Sequence, residues 1–151
     1  MTLQSLLTLS GITRAGKRFL SAIDWTTQPI CGLLAYHSIG SALGRNSVDT
    51  DQFIQQLHFL SDHFATVRID TLPETLPNLN STFNTVALTF DDGYLDNYTT
   101  VVPLLHQHAI KATFFVATHF LGQRLRGFVM MSTSEVRAIA HLGHEIGAHS
   151  V

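Results

Sequence analysis

A chain of 151 residues, 45% apolar and 13% charged, can bury one core and is too apolar for a disordered tail. A net charge of -2 provides no basic surface for nucleic acid or an anionic membrane. The single cysteine, Cys31, excludes an internal disulfide, and no run approaches the roughly 20 apolar residues of a membrane span.

Residues 1–28 read as an N-terminal leader or helix ahead of a domain over 29–151. Leu3 to Ile12 is apolar, but Arg14, Lys17 and Arg18 follow it, the reverse of a secretory signal. No clear signal peptide is present, which leaves a cytoplasmic or an envelope-associated location open. Ile30 to Tyr36 is an apolar run suited to a buried strand, with Cys31 as a small buried hydrophobe. It ends at His37. Asp49 and Gln52 have the spacing of a helix start, and Phe53, Leu57 and Leu60 follow on one face. Ala65 to Ile69 predicts a second strand, and the prolines and asparagines of 71–84 predict a connecting loop.

Val86 to Phe90 is continuously apolar, as an internal parallel strand would be. The helix expected from Asp96 to His108 contains Pro103, so it kinks there or begins its regular part there. Ala112 to Ala117 is a fourth strand, and 119–131 a longer loop. Ser132 to Glu135 is a capping box, Val136, Ile139 and Ala140 form an apolar face, and Gly143 stops the helix. His144 to Ala148 is a fifth strand. Five strands, mostly separated by helices, predict an α/β fold with a parallel sheet. A complete (β/α) barrel takes about 250 residues, so the pattern predicts an incomplete barrel, truncated at the C-terminus.

Such sheets place their chemistry at the carboxyl ends of the strands. Asp91 and Asp92 follow the third strand directly, and neighbouring residues on extended backbone point different ways. One carboxylate can face a metal and the other a substrate. The same Asp-Asp-Gly sequence also suits a plain turn whose carboxylates cap the next helix. His149 ends the fifth strand at the same rim, and a histidine beside an aspartate is a donor pair typical of Zn²⁺. His144 begins that strand, at the opposite end, and reads as structural. His37 reaches the rim if its strand is parallel. His58, His63, His106, His108, His119 and His141 read as solvated.

The run Val86-Ala87-Leu88-Thr89-Phe90-Asp91-Asp92-Gly93 resembles the first motif of the NodB-type polysaccharide deacetylases, carbohydrate esterase family four. Gly143 to Ser150 resembles the approach to their second motif, His-Ser/Thr-x-x-His. Lys111 to Val116 resembles the strand between, and Leu34-Ala35-Tyr36-His37 the opening strand of one branch. The resemblance implies a metal-dependent hydrolase that removes N-acetyl groups, or O-acetyl groups, from an N-acetylated polysaccharide or oligosaccharide. It implies Asp91 as catalytic base and Asp92 and His149 as ligands of a divalent metal, Zn²⁺ first among candidates. His37 at its strand end and Tyr94 after the aspartate turn are candidate substrate-binding residues, although a lone strand-end histidine such as His37 also suits a structural role. Tyr94 stands where many members carry proline, which points to the branch with the Tyr-His opening. The family's second histidine ligand would fall two residues past Val151. Two ligands predict weak zinc binding and little activity by the chain alone. The other readings are a catalytically dead remnant that binds carbohydrate or a partner, and a different metal-dependent hydrolase on a related scaffold.

Overall fold

The computed structural model describes residues 31–40, 46–72 and 84–150. The expected leader over 1–28, Ile30 and most of the 71–84 loop lie outside them.

The described residues form strands β1 (Cys31–Tyr36), β2 (Ser38–Ile39), β3 (Ser47–Val48), β4 (Ala65–Val67), β5 (Thr85–Phe90), β6 (Thr113–Val116), β7 (Arg124–Leu125), β8 (Phe128–Val129) and β9 (Glu145–Ala148). Among them stand helices α1 (Thr50–His63), α2 (Val102–Gln107) and α3 (Thr133–His141). Strands β1, β4, β5, β6 and β9 make one sheet, and every pairing in it is parallel. The expected fold class is therefore the one observed: an open α/β sheet, with no closed barrel among the described residues.

Strand β5 organises the sheet. β1 pairs along its whole length, from Cys31 opposite Thr85 to Tyr36 opposite Phe90. Its other edge is shared: β4 pairs with Thr85–Ala87, and β6 takes over at Thr89 and Phe90. β9 then lies outside β6. The shared edge is tied below the sheet. The Ile69 N–H donates to Thr113 Oγ1 at 3.1 Å, and the Asp70 N–H donates to Glu145 Oε2 at 3.2 Å.

One row of rings fixes the register. Tyr36, Phe90 and Phe114 sit opposite one another on adjacent strands. Their rings stack at 5.4 and 5.0 Å between centroids. Phe53 of α1 meets Tyr36 and Phe90 edge-on, and the Tyr36 hydroxyl donates to Gln56 of the same helix. Aromatic pairs of this kind contribute about 0.5–1.5 kcal/mol each beyond area burial. Around them pack Leu57 and Leu60 of α1, Val102 and Leu105 of α2, and Ile139 of α3, all buried.

The helix ends follow their sequences. The Asp49 carboxylate accepts from the N–H groups of Asp51 and Gln52, which caps α1. Both halves of the Ser132–Glu135 capping box form at α3. Pro103 stands in the first turn of α2, where its missing N–H costs nothing. A π-helical turn over Asn97–Val101 precedes it, so the regular helix does begin at the proline.

Three expectations fail. β1 forms, but of its residues only Tyr36 is buried; Leu33, Leu34 and Cys31 are exposed. The cause is position: among the described residues β1 pairs only with β5, so its apolar run is left uncovered by them. Ala140 is exposed, and α3 instead packs through Ile139 and the half-buried Val136. The 119–131 loop contains the β7–β8 hairpin.

His144 is structural, as expected. It is buried, its Nδ1 accepts the Ala112 N–H at 3.2 Å, and its ring meets Phe114 edge-on. Burial, reinforced by the charge of Lys111, depresses its pKa to about 4. The folded chain therefore holds a neutral ring while the unfolded chain takes a proton below about 6.5. Stability from this residue should be intact above pH 6.5 and fall by about 1.4 kcal/mol per unit as pH drops towards 4. Melting curves of wild type and His144→Asn across that window should show the variant with the shallower slope; equal slopes would contradict the assignment. A second expectation concerns Gly147, where an added Cβ would lie 2.5 Å from the Phe115 ring. Gly147→Ala should cost about 1–3 kcal/mol, and an unchanged melting temperature would show that the ring yields freely.

Candidate active site

The carboxyl ends of β1, β5, β6 and β9 meet at one rim. Register places His37 beside Asp91, since each follows the Tyr36–Phe90 pair, and the Asp91 N–H donates to the Tyr36 carbonyl at 2.9 Å. The rings of Tyr36 and Phe90 enter the core, so alternation turns the next side chains to the opposite face. Past Asp91 the backbone turns sharply. Asp92 has φ +73 and Gly93 φ +87. A left-handed aspartate is uncommon but tolerated, because its short polar side chain suits that region. The turn is pinned on both sides: Asp92 O accepts from Ala117 N–H at 3.1 Å and Gly93 O from Met131 N–H at 2.9 Å. A Cβ on Gly93 would also lie 3.0 Å from Val116 Cγ1, so conformation favours glycine here and a larger residue would press on Val116.

His149 arrives from the other side of β6. Its N–H donates to the Val116 carbonyl at 2.9 Å. Its Nδ1 then lies 3.6 Å from Asp92 Oδ1, both side chains being partly exposed. The structure thus brings Asp92 and His149 together, with Asp91 adjacent. His149 Nδ1 is also 2.8 Å from the Ser150 carbonyl. A carbonyl only accepts, so this bond puts a proton on Nδ1. A metal-ligating histidine commonly has one ring nitrogen held by a backbone oxygen in this way.

The donor set can be judged on that chemistry. A carboxylate and a neutral imidazole suit a divalent ion such as Zn²⁺. Among the described residues no group of three or more His, Cys, Asp or Glu side chains converges. The pair therefore fits as part of a site.

Tyr94 also belongs to the rim. Its ring packs on Phe128 at 4.9 Å, and its backbone bridges to Met130. Burial, the Asp92 charge and a hydrogen bond to Asp92 push its hydroxyl up to about 12. His37 is half-buried, and its carbonyl accepts from Asn97 Nδ2 at 2.8 Å. Among the described residues no hydrogen bond joins its ring to Asp91, Asp92 or His149.

A supporting group escaped the sequence reading. Asn97 is fully buried and also donates to Asp96 Oδ1 at 2.9 Å, while Asp96 Oδ2 accepts from the buried Ser38 hydroxyl at 2.6 Å. Burial raises the Asp96 pKa, and the bonds from Ser38, Ile39 and Asn97 oppose that shift. This network ties the turn after β5 to the turn after β1 and so orients His37 relative to Asp91. Its one signal was a pair of polar residues opening an otherwise apolar helix. His58, His63, His106 and His141 lie on helices, His108 lies at the end of α2, and the exposed His119 follows the carboxyl end of β6. Two are less solvated than expected: His108 is half-buried against His58, with rings 4.7 Å apart, and His63 stacks on Phe59.

Comparison with known proteins agrees with this geometry. Residues 78–151 match the family model described as polysaccharide deacetylase. The chain is 28% identical over 121 residues to the putative polysaccharide deacetylase YxkH of Bacillus subtilis, covering 79% of this chain and 42% of that protein. It is 38% identical over 72 residues to the peptidoglycan-N-acetylmuramic acid deacetylase PdaA of the same organism, covering 47% of this chain and 24% of that one. The chain thus spans less than half the length of these curated relatives. Among solved structures, IcaB from Ammonifex degensii superposes with TM-score 0.73 at 26% identity, over 80% of this chain and 53% of that one. The Streptococcus pyogenes deacetylase PplD superposes with TM-score 0.67 at 25% identity, over 82% and 57%. Residues 78–151 thus resemble the polysaccharide deacetylase family, and the fold is similar to that of solved deacetylases.

Proposed function

We propose that residues 29–151 are the N-terminal part of a metal-dependent deacetylase domain that removes N-acetyl, or O-acetyl, groups from a polysaccharide. The observation that carries this reading is the approach of Asp92 and His149 to 3.6 Å beside Asp91, at the carboxyl ends of parallel strands. In this reading Asp92 and His149 Nε2 hold a divalent ion, Zn²⁺ being the one their donor types favour. Such an ion supplies Lewis acidity towards an acetyl carbonyl and towards water.

The chain's own residues have distinct parts. Asp91 removes the proton of the water that attacks the acetyl carbon. The left-handed turn at Asp92 and Gly93 separates the two carboxylates in direction, so that one can accept a proton while the other ligates. Tyr94 keeps its hydroxyl protonated near the Asp92 carboxylate, because burial and that charge raise its pKa. His37, anchored through Asn97, borders the substrate on the β1 side. The substrate is an N-acetylated saccharide, bound across this rim.

Zinc titration of the 151-residue chain by calorimetry separates these roles. Binding should be weak, because two donors fall short of the three usual in a catalytic zinc site. It should disappear in Asp92→Asn and His149→Ala and persist in Asp91→Asn. Tight stoichiometric binding, or equal binding by all three variants, would contradict the ligand assignment. For the same reason acetate release by these residues alone should be slow or nil.

Saccharide recognition has its own readout. Chitotriose should shift the amide resonances of Asp91, Tyr94 and His149, and its fully deacetylated counterpart should shift them much less. Identical shifts with the two sugars would argue against an acetamide site.

A further inference from the structure

The β7–β8 hairpin bears on which saccharide the rim accepts, an inference that rests on the deacetylase reading. Leu125 pairs with Phe128, and Arg124 with Val129. Paired residues share a face, so the hairpin has an apolar side of Leu125 and Phe128, both half-buried, and an outer side of Arg124 and Val129, both exposed. The inner side closes on Tyr94 through the Phe128 ring. The Met130 N–H, bonded to the Gln123 carbonyl at 3.0 Å, and the Tyr94–Met130 bridge fasten the hairpin's base to the site.

The tip is Arg126–Gly127, with φ +51 and +92. A two-residue turn with both residues left-handed favours Asn-Gly or Asp-Gly. Turn chemistry alone therefore does not account for an arginine. Arg126 is exposed and stands within electrostatic reach of the Tyr94 hydroxyl. Among the described residues it forms no ion pair, whereas Arg68 forks onto Asp70 through two bonds of 2.9 and 2.8 Å. An arginine fork matches a carboxylate in geometry as well as charge. Under the hairpin, the half-buried Tyr94 and Phe128 rings pack together at 4.9 Å, an aromatic pair of the kind that lines ligand sites.

We propose that the hairpin tip is a subsite for a carboxylate carried by the substrate, with Arg126 taking the carboxylate and the Tyr94–Phe128 pair supporting a sugar ring. The substrate class is then an acidic acetylated saccharide. The carboxylate sits either on the acetamido sugar as an ether-linked acid or on a neighbouring uronic acid.

Three disaccharides titrated into the 151-residue chain at low ionic strength test this. Chitobiose is neutral, N-acetylglucosaminyl-N-acetylmuramic acid carries the acid on an acetamido sugar, and glucuronosyl-N-acetylglucosamine carries it on the neighbour. At least one acidic sugar should bind roughly threefold to tenfold more tightly than chitobiose, and which one does so locates the carboxylate. Arg126→Gln, and independently Arg126→Asn, should bring the acidic sugar down to the chitobiose affinity and leave chitobiose unchanged. The preference should shrink in roughly 1 M salt. Equal affinity for all three sugars, or a preference that survives both variants, would overturn the subsite and leave the deacetylase reading standing. Failure of all three to bind would overturn both.

Discussion

The stack of Tyr36, Phe90 and Phe114 across three parallel strands is the interaction on which the site depends. A one-residue slip in any of these pairings would turn a buried ring to the other face, so the core admits one register. That register carries His37 and Asp91 side by side past the ends of β1 and β5. The separate β6–β9 register, with Val116 opposite Ala148, brings His149 to the same rim. Chemistry at the rim is thereby positioned by packing underneath it. The polar ties around the rim, from Asn97 to His37 and from Ala117 to Asp92, then fix the turns that the rings only bring near.

Polar and apolar parts are divided by depth. Below the rings, His144 is held neutral by burial and serves the backbone of Ala112. Above them, Asp92 and His149 keep partial exposure at the rim. Two histidines five residues apart, flanking one strand, thus have different surroundings because they stand at opposite ends of it.

Much of this was legible in the sequence, for identifiable reasons. The apolar runs of β5 and β6 are short and bounded, and parallel strands buried on both faces leave that mark. The caps at Asp49 and Ser132 are local chemistry and form as written. Pro103 announced a change in the helix, and the π-helical turn ahead of it is that change. The reading of β1 failed because hydrophobicity does not say whether a strand is central or at an edge. The hairpin was missed although Arg126-Gly127 sits between Leu125 and Phe128, a two-residue turn signature of moderate strength. The Ser38–Asp96–Asn97 network was out of reach, since it joins residues about 60 positions apart through side-chain hydrogen bonds alone. Of the candidate site, the pairing of Asp92 with His149 was legible because both follow strands, and strand ends converge.

The central claim is that Asp92 and His149 act together as ligands while Asp91 stays free for proton transfer. Anomalous diffraction from crystals of the chain soaked in zinc tests it most directly. The account predicts a zinc peak bonded to the Asp92 carboxylate and to His149 Nε2, with the Asp91 carboxylate outside bonding distance. A peak held by Asp91 in place of Asp92, or zinc bound only between His58 and His108, would contradict it.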